Sequence, residues 1–294
     1  MNKADSLKDV RLVFIGCGTM AEAIIAGLLN NNLVTADRVV GSHPRKERRE
    51  ELELKYGIRV VENNPEAVVL GRGAGRAEAG VTTSSIVVLT VKPQRLDLIL
   101  SELKEVIHTD QLVISIIAGA RIETIANDLR HRSIVRAMPN TPAQIGEGMT
   151  VWTATPEVTE TQQLQIHTVF GALGRELHVE EEKMIDMATA LSATGPTYTF
   201  LVMEALIDAG VHLGFSRHVA QELVLQTMLG SVLFARESHK HPAELRNMVT
   251  SPGGTSAEAI YQMEKGSLRT VLSKAVWSAY RRAAALGRKG VIDD

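Results

Sequence analysis

The sequence predicts an α/β fold, a doubly wound parallel sheet, followed by an all-α C-terminal domain. Three observations carry this prediction. An apolar strand runs straight into a glycine turn and a helix over residues 10–29, VRLVFIGCGTMAEAIIAGLL. Strand-like and helix-like stretches then alternate to about residue 180. Beyond Glu180 only helical patterns remain. The chain has 294 residues, enough for two domains. The expected domains are 1–181, which binds a dinucleotide, and 182–294, which is helical.

The first strand covers residues 12–16, and Gly16-Cys17-Gly18-Thr19-Met20-Ala21 follows at once. A G-x-G-x-x-A run gains meaning between a strand and a helix. Gly16 permits the tight turn, Gly18 lets a pyrophosphate approach the backbone, and Ala21 lets the helix pack close to the strand. Ala23, Ile24, Gly27 and Leu28 carry the helical spacing. The free N–H groups and the helix dipole favour an anion at its start. A Rossmann-like nucleotide domain is the expectation, and a tight turn without a ligand is the plainer alternative.

The second strand is 39–42, VVGS, and a helix runs from about Pro44 to Tyr56. An NAD enzyme places an acid at the end of this strand for the ribose 2′-hydroxyl. Here Ser42 stands there, and Arg45, Lys46, Arg48 and Arg49 follow. That pattern suits a 2′-phosphate, so NADPH is expected to be preferred, with NAD still usable; a solvated, mixed-charge helix face is the alternative.

Residues 58–61 read as the third strand, followed by Asn63, Asn64 and a weak helix from Pro65. Four glycines between 71 and 80 read as a surface loop. Strands are expected at 85–91, 112–117 and 134–137, with helices at 96–107 and 122–129 between them. Met138-Pro139-Asn140-Thr141-Pro142 breaks the rhythm, since two close prolines suit neither a helix nor a central strand. A strand at 149–153, a helix at 156–173 and a strand at 175–179 complete this part.

Helices are then expected at 184–191, 198–213, 218–238, 243–248, 256–264 and 267–286. The 198–213 helix is apolar on most of its surface, so it is either central to a bundle or buried between subunits. The hydrophobic share is 45%, aromatics are 4% and net charge is −2, which points away from nucleic acid or an anionic membrane as partner. No apolar run reaches the length of a membrane span. Cys17 is the single cysteine, so a reducing compartment is expected, and the N-terminus lacks a signal-peptide core. A cytoplasmic location follows as the expectation. Cys17 reads as a small filler more readily than as a reactive thiol. No metal site is expected: His239 and His241 form the only close histidine pair, in what reads as an exposed turn. Glu180, Glu181 and Glu182 read as favouring a helix N-terminus.

A second informative stretch is 245–264, LRNMVTSPGGTSAEAIYQME. Ser251-Pro252-Gly253-Gly254 sets a turn, and Thr255 and Ser256 stand at a helix start. Unpaired N–H groups there can hold a carboxylate. A turn with an N-cap and nothing more is an equally good reading of these residues.

Several separated motifs together resemble one family. They are FIGCGTMAEAI, Val91-Lys92-Pro93, MPNTP, Thr194-Gly195-Pro196 and the 245–264 stretch, in order along essentially the whole chain. The chain resembles the pyrroline-5-carboxylate reductases. The resemblance implies a helical domain that interlocks with a second subunit, hence a homodimer or larger homo-oligomer. It implies NAD(P)H-dependent reduction of the small molecule 1-pyrroline-5-carboxylate to L-proline, the last step of proline biosynthesis. Residue by residue, Ile15, Gly16, Cys17, Gly18, Thr19 and Met20 match the pyrophosphate loop. Ser42 and Pro44 match the adenosine side, with Arg45 beside them, and Asn64 matches an asparagine on the adenine-side ribose. Thr90, Val91, Lys92 and Pro93 border the nicotinamide half, and Ala118 lies at the next strand end. Ser251, Gly253, Gly254, Thr255 and Ser256 match the substrate loop, with the Ser256 hydroxyl near the imine nitrogen.

Three departures stand against the family pattern. The 71–80 segment is longer than usual. Ser192-Ala193-Thr194-Gly195-Pro196 replaces Ser-Gly-Ser-Gly-Pro, and Ser256 replaces the usual threonine. Two rivals remain at this stage: another two-domain imine or β-hydroxyacid reductase, and a non-catalytic NADP-binding regulatory protein on the same fold.

Overall fold

The computed structural model describes residues 6–72 and 85–287. They form two compact units: the described residues up to Thr194 together with those from Ala279, and Gly195–Ser278.

In the first unit eight strands form one sheet: β1 (Arg11–Ile15), β2 (Val39–Ser42), β3 (Arg59–Val61), β4 (Ser85–Leu89), β5 (Leu112–Ser115), β6 (Ile134–Met138), β7 (Gly148–Ala154) and β8 (Gly174–His178). Their order is β3-β2-β1-β4-β5-β6-β7-β8. The chain reverses its sheet order at β1, whose neighbours are β2 and β4. That is the point where open α/β sheets bind ligands. Alternation along β1 feeds both faces. Leu12 and Phe14 join a cluster with Ile24, Leu28 and Phe170; Val13 and Ile15 join one with Leu100, Leu103 and Ile125. The first face is covered by α1 (Thr19–Asn30), α2 (Lys46–Tyr56) and α6 (Glu160–Gly171). The second is covered by α3 (Asn64–Gly71), α4 (Leu96–Leu103) and α5 (Ile122–Leu129).

The sheet is not wholly parallel. β6 and β7 pair antiparallel, with Ala137 opposite Trp152. Pro139 and Pro142 end β6, and one 3-10 turn at Thr141–Ile145 sends the chain back as the next strand. A parallel neighbour would need a longer crossover, usually a helix. Several elements end earlier than expected, β5 at Ser115 among them. β4 stops at Leu89 because Thr90 turns to donate its N–H and hydroxyl to the Ile15 carbonyl. α4 stops at Leu103. Of the glycine-rich 71–80 segment, Gly71 closes α3 and is buried against Val13; 73–80 lies outside the described residues.

By packing, the first unit runs past residue 181. α7 (Lys183–Ala188) stays with the first unit, because Ile185 packs with Met138, Val151 and Val179. The chain also returns at its far end. α12 (Leu268–Leu286) begins in the second unit and finishes in the first. Its last turn lies on Gly119, which has φ +75°; a Cβ there would stand 2.7 Å from the Leu286 carbonyl carbon.

The second unit contains α8 (Gly195–His212), α9 (Arg217–Ser238), α10 (Pro242–Met248), α11 (Thr255–Lys265) and the first part of α12. Gly195-Pro196 opens α8, three residues before the expected start at 198, and a π turn at Thr189–Ala193 precedes it. α8 and α9 meet where Ala220 lies against Gly210. α8 has no buried residue, so it is not the centre of a bundle within one chain. Phe200, Leu201, Leu229, Val232, Phe234 and Trp277 are all more than half exposed. No described helix is long and apolar enough to cross a membrane.

Candidate cofactor cleft and substrate turn

The glycine turn is set by its neighbours. Gly16 has φ +91°, and a Cβ there would lie 2.5 Å from Val91 Cγ1. Its N–H donates to Ser42 Oγ (3.2 Å), the Cys17 N–H donates to the Ser42 carbonyl (2.9 Å), and the Thr90 hydroxyl donates to the Gly16 carbonyl (2.8 Å). α1 starts at Thr19 with Gly18 as N-cap and no side-chain cap, so its first N–H groups are left for a ligand. A Cβ on Gly18 would meet nothing within 4 Å, so the turn is open on its outer side. These features fit a pyrophosphate.

A cleft of about 920 Å³ opens beside this turn. Seven expected residues line it: Gly16, Gly18, Pro44, Asn64, Thr90, Val91 and Lys92. Thr19, Met20, Arg45, Pro93 and Ala118 lie outside its lining. Three of the expected residues are buried. Ile15, Cys17 and Ser42 have no exposed surface, so none of them presents an atom to a ligand. Ile15 is core, Cys17 fills the space beneath the turn against Gly41, and Ser42 braces Gly16 from below. Burial pushes the Cys17 thiol up to about 12, which makes it a filler and not a nucleophile. The cleft also gains His43, Glu62, Arg95 and Glu102, which the sequence reading missed. His43 directly follows Ser42 and was legible. Glu102 comes from the last turn of α4 and carries no local signal. Burial, with Arg45, Arg48 and Arg49 nearby, lowers the His43 pKa.

The basic run after β2 divides. Arg48 is tied to Glu22 and to the Cys17 carbonyl. Burial pushes the Glu22 carboxyl up, but hydrogen bonds from Lys55, Arg48 and Tyr56 outweigh it and hold its pKa at about 2. Arg49 donates to the His43 and Pro44 carbonyls. Arg45 makes no side-chain bond among the described residues, and exposed Lys46 only a loose pair with Glu50.

In the second unit, Gly253 has φ +70° and the Gly254 N–H donates to the Ser251 carbonyl (3.0 Å). Gly254 is the N-cap of α11 and supplies no side-chain cap. Thr255 and Ser256 are the first two helical residues, so neither is the cap. No hydrogen bond from either hydroxyl is found among the described residues. Residues 251–253 and Thr255 are exposed.

Comparison with known proteins decides the family. Residues 182–286 match the family described as pyrroline-5-carboxylate reductase dimerisation, and residues 11–119 match NADP oxidoreductase, coenzyme F420-dependent. A pyrroline-5-carboxylate reductase from Synechocystis sp. is 38% identical over 96% of this chain and 100% of its own length. The Pisum sativum enzyme is 35% identical over 94% of this chain and 95% of its own. The chain belongs to the pyrroline-5-carboxylate reductase family. A Plasmodium falciparum pyrroline carboxylate reductase solved with NADP bound has a TM-score of 0.84 at 30% identity, covering 96% of this chain and 99% of that one.

The reductase therefore has an NADP-binding Rossmann-like domain and a helical dimerisation domain. One of its glutamates after β8 acts less locally than expected. Glu182 accepts from the Ile122 N–H, at the start of α5, and from buried Arg136 (2.9 Å each). Arg136 also donates to Asp186, so this buried cation is paired twice and joins β6 to α7. No cluster of three metal-ligating side chains occurs among the described residues of the reductase.

Proposed function

We infer that this chain reduces 1-pyrroline-5-carboxylate to L-proline with NAD(P)H, the closing step of proline biosynthesis. The observation that carries the reading is the near-full-length match to enzymes of that name, 38% identical at best among those cited, in a chain with an open glycine turn. The Gly16–Gly18 turn and the first N–H groups of α1, from Thr19 and Met20, hold the pyrophosphate. Pro44 and Asn64 border the adenosine. Arg45 and the exposed, loosely paired Lys46 at the start of α2 receive a 2′-phosphate and make NADPH the preferred cofactor. Thr90, Val91, Lys92, Pro93 and Ala118 flank the nicotinamide half. When bound, NAD(P)H supplies the hydride for the imine carbon.

The 251–256 turn binds the substrate. Ser251, Gly253 and Thr255 offer N–H and hydroxyl groups to its carboxylate at the positive end of α11, and Gly254, whose own N–H is tied to the Ser251 carbonyl, shapes the turn. The Ser256 hydroxyl donates a hydrogen bond to the ring nitrogen as the amine forms. A protonated imine accepts hydride readily, so no strong general acid is needed. The reductase works as a homodimer at least, because α8 and α9 leave large apolar side chains uncovered in one chain. A single buried thiol suits a reducing, cytoplasmic setting.

The test is NADPH oxidation on addition of pyrroline-5-carboxylate, with proline identified as product. Turnover of β-hydroxyacids instead, or cofactor binding without turnover, would refute the reading.

A further inference from the structure

We propose that Glu102 is a cofactor-positioning residue, which fixes the direction of a hydrogen-bond chain from the rim of the cleft to the pyrophosphate turn. The proposal rests on the reading that this cleft holds NAD(P)H.

Four elements meet in the chain. Glu102 comes from α4, Asn64 from the start of α3, Ser42 from the end of β2, and Gly16 follows β1. Asn64 Nδ2 donates to Glu102 Oε2 (2.7 Å), Ser42 Oγ donates to Asn64 Oδ1 (2.7 Å), and the Gly16 N–H donates to Ser42 Oγ (3.2 Å). The order is forced from one end. A carboxylate accepts and does not donate, so Asn64 must turn its NH2 towards Glu102. Its carbonyl then faces Ser42, whose hydroxyl hydrogen goes to Asn64 and whose lone pair faces Gly16. An amide alone has no such preference, since its two ends are nearly the same shape. Without Glu102, Asn64 is free to flip, and the Ser42 hydroxyl is free to turn to the Phe14 carbonyl, which already lies 3.4 Å away.

Asn64 and Glu102 both line the cleft, and Gly16 forms its floor. Setting one amide therefore sets two surfaces that the dinucleotide meets: the ribose side at Asn64 and the pyrophosphate turn at Gly16. Glu102 acts through Asn64 and does not touch the reacting atoms. Preorganisation of this kind lowers the cost of binding and leaves the chemical step alone.

The experiment is calorimetric titration of NADPH into the parent chain and into Glu102→Leu, Glu102→Gln, Asn64→Ala and the Glu102→Leu/Asn64→Ala double variant, with thermal melts and steady-state kinetics beside it. Glu102→Leu should weaken NADPH binding about ten-fold, and Glu102→Gln, which can accept or donate, roughly two- to five-fold. The cofactor-free melting temperature should move by no more than about 2 °C, and kcat at saturating NADPH should stay within about two-fold. The double variant should bind about as weakly as Asn64→Ala alone, since the two act as one unit. Binding unchanged in both Glu102 variants, or losses that multiply in the double variant, would overturn the proposal while leaving the cleft assignment intact. A parent chain that does not bind NADPH would overturn both. Should Glu102→Leu fail to fold, Glu102→Gln carries the same test.

Discussion

Two glycine turns in this reductase have nearly the same local form and opposite surroundings. Each feeds a helix through a glycine N-cap with no side-chain cap, and the N-cap φ is −82° in both. The turn at Gly16 is braced from its inner side: Ser42 and Thr90 bond to its backbone, and Val91 fills the place of a Cβ. The turn at Gly253 has no atom within 4 Å of where a Cβ would stand, and the hydroxyls of Thr255 and Ser256 have no partner among the described residues. The first turn is finished by its own unit. The second has no such bracing at Gly253. The apolar residues tell the same story, since β1 is almost wholly buried while α8 has no buried residue.

The contrast breaks most easily at the exposed faces of α8 and α9. Leu201 and Phe234 are more than half exposed in one chain. Each aliphatic or aromatic side chain covered by a partner contributes about 1.5–3 kcal/mol. A Leu201→Asp/Phe234→Asp variant should weaken self-association by at least about 100-fold and abolish activity at dilute concentration, as read by light scattering and assay. A fully active dimer would show that these faces are not the interface.

Next in size is the steric lock. Gly16→Ala adds both left-handed strain and overlap with Val91, together about 2–4 kcal/mol, and should destroy NADPH binding. Gly253→Ala meets only the strain, about 1 kcal/mol, and should leave cofactor binding unchanged. Denaturant unfolding and NADPH titration check both. Equal losses would mean that the two turns are equally braced.

Ser256→Ala sharpens the functional side. Loss of one hydrogen bond to a charged group is about 1.5–3 kcal/mol, so kcat/KM for the imine should fall roughly ten- to a hundred-fold with NADPH affinity unchanged. Ser256→Thr should keep most activity. Weaker NADPH binding in Ser256→Ala would move this turn from substrate to cofactor.

The smallest effect is expected at the edge of the cleft. Arg45→Ala/Lys46→Ala removes two exposed cations and should lower the kcat/KM preference for NADPH over NADH by about ten-fold, near 1.4 kcal/mol. An unchanged ratio would mean that a 2′-phosphate is not recognised there.

Most of the first unit was legible because its elements obey local rules. The strand at 39–42 and the helix at 122–129 stand where the sequence places them, since strand burial and helical spacing are properties of neighbouring residues. What was missed depends on residues far apart. The direction of β7 was hidden because a short proline turn does not announce which way the chain leaves it. Ser42 reads as a ligand contact from its place at a strand end, yet it sits under the turn, and only the packing of Phe14 and Asn64 around it shows that. Glu102 has the surroundings of any helical glutamate in sequence. Its partner, Asn64, comes from another helix. Ile185 and Asp186 look like any other helical residues in sequence, and only their meeting with β6 and β7 ties α7 to the first unit.

The last turn of α12 on Gly119 has a consequence for how the protein is made. The second unit is in effect an insertion: residues on both sides of it belong to the first. Gly119 emerges from the ribosome well before Leu286, so the sheet must wait, with that patch uncovered, until the whole helical insertion has been synthesised. A nascent chain halted at 278 would present a largely formed nucleotide fold that lacks its final turn. The contact at Gly119 can therefore close only after the second unit has been translated.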